Sequence, residues 1–164
     1  MGETLLSDKK NYSNIVKNHY FPTSKNKMNA LVILSDENLV SQLEAGLKVL
    51  PVNFLILSKW TSSDTIVYDT EVKNDILSWF DVVIGDNGVE WLQKYFQSGI
   101  VPVVPTNNYL KTILSEFEVL DGEGNAFLYE ENNIWSLFFA LSRFIENHKF
   151  PYDHKVLVKN VLAL

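Results

Sequence analysis

The chain has 164 residues, 46% of them hydrophobic and 13% aromatic, and a formal charge of −6. That composition suits one domain with a well-filled core, and the acidic balance argues against a nucleic-acid backbone or an anionic membrane as the main partner. Cysteine is absent, which excludes disulfides, thiolate metal sites and cysteine catalysis. No apolar run approaches the roughly 18 residues of a membrane span, and the polar start (Glu3, Asp8, Lys9, Lys10) is no signal peptide, so the expected location is cytoplasmic.

Residues 1–28 are polar and rich in Asn and Lys, with isolated Tyr12, Ile15, Val16, Tyr20 and Phe21. They read as an extension, either a loosely held arm or leader, or a segment that docks on a partner or wraps the domain. Residues 29–164 read as the domain itself. Residues 29–34 form the first apolar strand. Ser35 to Asn38 carry turn and helix-start chemistry, and Leu39, Leu43, Leu47 and Leu50 then recur at helical spacing up to Pro51. A second buried strand is expected at 52–57 and a short third at 65–68, after a polar loop at 61–64. A short helix is expected over 72–80.

The clearest unit follows. Residues 81–84 are an apolar strand that ends in Gly85, Asp86, Asn87 and Gly88. Val89, Leu92 and Phe96 then recur as one helix face, Gly99 stops the helix, and 101–104 is a second apolar strand. Strand, helix and strand this close imply a parallel βαβ unit. Beyond it, Asn107 or Asn108 can cap a helix bearing Leu110, Ile113, Leu114 and Phe117. Asp121 to Asn125 form a turn, and 126–129 a sixth strand. Ile134, Leu137, Phe138, Leu141, Phe144 and Ile145 mark the most regular amphipathic helix. Asp153 can cap a last helix with Leu157, Val158, Val161 and Leu162. The pattern predicts a three-layer, Rossmann-like α/β fold. Its parallel sheet has six strands in the order 3-2-1-4-5-6, with helices on both faces.

In such a sheet, ligands bind beyond the carboxyl ends of the strands, where the strand order reverses. The candidates there are Ser35, Asp36, Glu37 and Asn38 after strand 1, Asp86, Asn87 and Gly88 after strand 4, and Thr106, Asn107 and Asn108 after strand 5. Asp36 and Glu37 suit a helix start, whose dipole they complement. They also oppose a pyrophosphate. Alternatively, Asp36, Glu37 and Asp86 gather round a divalent cation. His19, His148 and His154 form no ligand pattern and are expected at the surface. Trp60, Trp79, Trp91 and Trp135 are expected in core or interface packing.

The unit from Asp81 to Pro105, with Gly88, Gly99 and Pro102, resembles the C-terminal, donor-nucleotide-binding half of GT-B glycosyltransferases. The stretch from Glu123 to Glu130 resembles the "Gly-x-Gly-Phe-Leu" strand of that family. The resemblance covers residues 29–164. It implies a nucleotide-sugar site formed by Ser35, Asp36, Asp86, Asn87, Gly88, Lys94, Thr106 and Asn107. It also implies an eroded one. Lys94 stands where the family has a ribose-binding glutamate, and a lysine cannot accept those hydrogen bonds; the glycine-rich loop after strand 1 is replaced by Ser35 to Asn38. The resulting expectation is a catalytically degenerate domain that binds a protein partner, such as a subunit supplying the other half, and at most weakly a nucleotide or nucleotide sugar. No cofactor is implied. A receiver-like signalling domain is the alternative. Asp86 then resembles the phosphoacceptor, Asp36 and Glu37 the magnesium-binding acids, and Thr106 the switch hydroxyl. Glu130 and Glu131 stand in place of that family's Lys-Pro.

Overall fold

The computed structural model describes residues 16–57, 66–69, 79–86 and 93–164. The loop expected at 61–64, nearly all of the helix expected at 72–80, and Asn87 and Gly88 lie outside the described residues. The elements are β1 (Met28–Ile33), α1 (Glu37–Leu47), β2 (Val52–Leu57), β3 (Ile66–Asp69), β4 (Val82–Gly85), α2 (Gln93–Phe96), β5 (Val101–Pro105), β6 (Phe127–Tyr129), α3 (Ile134–Lys149) and α4 (Pro151–Leu162).

The six strands form one all-parallel sheet in the order β3-β2-β1-β4-β5-β6, as the alternation of apolar runs predicts. The register places Leu31 of β1 between Leu55 of β2 and Val83 of β4. Every residue of β1, β4 and β5 is buried. Such unbroken apolar runs belong to strands covered on both faces. The order reverses at β1, so β1 and β4 flank the cleft at the carboxyl edge.

The helices follow their periodicity. Leu39, Val40, Leu43 and Leu47 are the buried stripe of α1. Leu137, Ala140, Leu141, Phe144 and Ile145 are that of α3, which packs on β6, β5 and α4. Gly99 has φ +65°, and a Cβ there would lie 3.0 Å from Val158 Cγ1. The residue thus serves as both the helix stop and a close-approach point for α4.

Residues 16–20 are helical, and Val16, Phe21 and Ser24 are buried. Ser24 Oγ donates to Asn53 Oδ1 at 2.5 Å, and Asn53 Nδ2 donates to Asn29 Oδ1 and to the Asn26 carbonyl. A polar network thus ties Ser24 and Asn26 to the start of the sheet.

Three expectations are corrected. No regular helix forms over 107–117. Asn108 Oδ1 accepts from Leu110 N at 2.7 Å, and the backbone closes three-residue turns from Asn108 and Leu110. Asn125 then takes over the groups that would propagate a helix: its Nδ2 donates to the Ile113 carbonyl and its Oδ1 accepts from Ser115 N. Leu110, Leu114 and Phe117 still reach the core, whereas Ile113 is exposed. Asp153 does not cap the last helix. That helix starts at Pro151, whose fixed φ and missing N–H suit its first turn. Trp135 is 79% exposed rather than packed, while Trp79 is partly buried against the core.

Candidate functional site

The carboxyl edge is built around Asp86, at the end of β4. It is buried, and its Oδ2 accepts from Ser35 N at 2.6 Å, Ser35 Oγ at 2.9 Å and Asp36 N at 3.2 Å. Asp36 is the N-cap of α1; its Oδ1 accepts from Asn38 N at 2.8 Å and Leu39 N at 3.4 Å. A helix start offers four N–H groups that no intrahelical carbonyl can take. Of those on α1, the amides of Asp36, Asn38 and Leu39 donate to carboxylates of the chain itself. Asp36 thus makes an ordinary N-cap, and Asp86 closes on the turn that precedes it.

Tyr129, at the end of β6, extends the site and was not singled out by the sequence. Its hydroxyl donates to the Gly85 carbonyl at 2.8 Å. Burial first, then the nearby Asp86 and Glu131 carboxylates, push its pKa upward. The hydroxyl therefore stays protonated and continues to bridge β6 to β4. Alternation with Phe127 along a strand is the signal that places Tyr129 inward. Thr106 is exposed and its amide donates to the Tyr129 carbonyl; Asn107 Nδ2 donates to Glu131 Oε2 at 2.5 Å. Lys94 is exposed on α2, its Nζ 5.1 Å from the Tyr95 ring centroid. The structure thus brings Ser35, Asp36 and Asp86 into one hydrogen-bonded group. Thr106 and Asn107 attach to the end of β6. Glu37 lies exposed in the first turn of α1. Among the described residues, no three His, Asp or Glu side chains gather as a metal site would require.

The histidines at the opposite, amino edge are a further correction. His148 and His154 are half-buried and meet edge to face with ring centroids 4.6 Å apart. His148 Nε2 lies 3.9 Å from Asp81 Oδ1, and His154 Nδ1 lies 3.0 Å from Asn147 Oδ1. Asp81 precedes β4, so this pair stands away from the carboxyl edge. Phe144 packs on both rings.

No family model matches the chain, and no curated protein matches it. Solved structures do. The catalytic domain of starch synthase IV from Arabidopsis thaliana, bound to ADP and acarbose, superposes with a TM-score of 0.71 at 12% identity, over 95% of this chain and 39% of that one. The spinosyn forosaminyltransferase SpnP gives 0.59 at 12% identity, over 87% and 41%. The spinosyn rhamnosyltransferase SpnG, complexed with thymidine diphosphate, gives 0.55 at 13% identity, over 87% and 45%. At these identities the likeness establishes the fold. It is that of GT-B glycosyltransferases, and the chain spans about two fifths of their length. A receiver-like domain is not favoured, since the flavodoxin-like order 2-1-3-4-5 differs from the sheet found here.

Proposed function

We propose that this chain is a catalytically degenerate, glycosyltransferase-like domain. It works through protein contacts, and its own carboxylates occupy the place where a donor diphosphate would bind. One observation carries the reading. Asp86 accepts from the Ser35 and Asp36 amides while Asp36 accepts from Asn38 and Leu39. In a Rossmann-like fold the diphosphate sits on the first βα turn and on the helix start that follows it. To bind there, a diphosphate must displace Asp86 and approach Asp36 and Glu37. Like charges at that range oppose one another. Lys94 in place of a ribose-binding glutamate points the same way.

Exposed aromatic surface supports the protein-contact part. Trp135 and Phe139, one helical turn apart on α3, are 79% and 64% exposed. Surface of this kind is commonly buried by a partner.

The test is calorimetric titration of the protein with ADP, UDP and thymidine diphosphate, together with a sugar-transfer assay on the matching nucleotide sugars. The expected result is no saturable heat below millimolar concentrations and no transfer. Micromolar binding of any of the three, or turnover by the purified chain, overturns the reading.

A further inference from the structure

A second surface lies away from the carboxyl edge. Phe117, Val119, Leu120, Asp121 and Gly122 face Tyr152, Asp153 and Val156 across a groove of ≈ 280 Å³. The groove is preformed. A bridge between Glu118 and Glu123 closes the turn beneath Leu120, and Gly122 N donates to the Glu118 carbonyl. Asn160 of α4 donates through Nδ2 to the carbonyls of Gly122 and Gly124, at 3.0 and 2.7 Å. The turn is thereby fixed against the helix that forms the other wall.

Its lining combines two features that rarely share a solvated turn. Leu120 is 98% exposed and Tyr152 79%, with Val119 also exposed. Between them stand Asp121 and Asp153, and neither carboxylate has an ion pair or a hydrogen bond among the described residues. The position of Asp153 in the first turn of α4 favours a negative charge there. That accounts for its sign. It does not account for the exposed leucine and tyrosine beside it, nor for Asp121 on the opposite wall.

We propose that this groove docks a protein segment that presents an arginine or lysine flanked by bulky apolar side chains. The cation fits between Asp121 and Asp153 and over the face of Tyr152. The apolar neighbours cover Leu120, Val119 and Val156. The volume falls just below the roughly 300 Å³ at which small-molecule clefts begin, so the groove suits anchoring side chains rather than a whole ligand. The net charge of −6 reinforces the choice of a cationic partner and disfavours a second copy of this chain.

The experiment is an amide-shift NMR titration of the full chain with a short acetylated peptide bearing a central Leu-Arg-Leu, alongside its Leu-Glu-Leu counterpart. The expected result is saturable shifts confined to Leu120–Gly122 and Tyr152–Val156, with the arginine peptide about tenfold tighter. Asp121→Asn with Asp153→Asn should remove that preference, and Leu120→Ser should weaken both peptides; Leu120 and Asp121 are exposed and Asp153 is half-buried, and folding is checked by the unchanged remainder of the spectrum. Equal binding of the two peptides, shifts on the Trp135–Phe139 face instead, or no shifts at millimolar peptide each overturn the proposal. So does self-association that Leu120→Ser abolishes. None of these outcomes bears on nucleotide binding, which is read at Ser35 and Asp36.

Discussion

At the carboxyl edge, buried Asp86 and exposed Asp36 are both satisfied by backbone amides of the β1–α1 turn. Away from it, exposed Asp121 and half-buried Asp153, neither with a hydrogen-bond or ion-pair partner among the described residues, line a groove beside an exposed leucine and tyrosine. The same side chain thus serves opposite ends. A carboxylate that fills its own fold's anion site closes that site, whereas a carboxylate left open beside apolar surface invites a cation. On the reading proposed above, the fold of a sugar-transferring enzyme does not by itself locate the working surface of this molecule. The partners of individual carboxylates do.

The strongest way to break the comparison is Gly124→Ala. Gly124 has φ +85°, and a Cβ would lie 2.0 Å from the Glu116 carbonyl oxygen. The turn that forms one wall of the groove should come apart, at a cost of about 3 kcal/mol or more, measured by denaturant unfolding. Next is Asp86→Ala, which strands the donors of Ser35 and Asp36. It should destabilise by about 2–3 kcal/mol. It should also create a calorimetric response to inorganic pyrophosphate that the proposed function does not expect of the native chain.

Tyr129→Phe sharpens the comparison at the same edge. It removes the hydrogen bond to the Gly85 carbonyl, at about 1 kcal/mol near neutral pH. It also changes the alkaline limb of stability. The unfolded tyrosine ionises near about pH 10 and the folded one resists, so above that pH the unfolded state releases protons that the folded state keeps. Stability therefore falls as pH rises, and the variant should show a shallower fall; Tyr95, whose pKa burial also raises, contributes in the same direction. Asp36→Ala removes the N-cap of α1 and should also cost about 1 kcal/mol, read from the thermal midpoint. The smallest effect is expected from Asp121→Asn with Asp153→Asn. With no hydrogen bond or ion pair to lose, and only the interaction of Asp153 with the start of α4 given up, the cost should be about 0.5 kcal/mol.

Much of the fold was legible because its signals are local. Pro51 and the apolar run behind it bound β2 to the residue, and Gly99 marks the end of the helical stretch with the positive φ such a stop requires. The cap at Asp36 is equally local. The turn at 107–117 was not legible, because Asn125, well downstream, decides it. Nor was the clamp on Ser35, since Asp86 lies 51 residues away in the chain. Trp135 falls outside the stripe formed by Leu137, Leu141 and Phe144, so helical phase predicts its exposure; the mere spread of tryptophans does not. The groove escapes any sequence pattern because its walls, near 120 and 153, meet only once α4 packs.

The most direct measurement is the backbone amide shift of Ser35 and Asp36 during titration with thymidine diphosphate. The account predicts that both resonances stay in place up to millimolar ligand, because Asp86 already holds those protons. Saturable movement of both in the micromolar range would show that a diphosphate displaces the carboxylate, and would contradict the account.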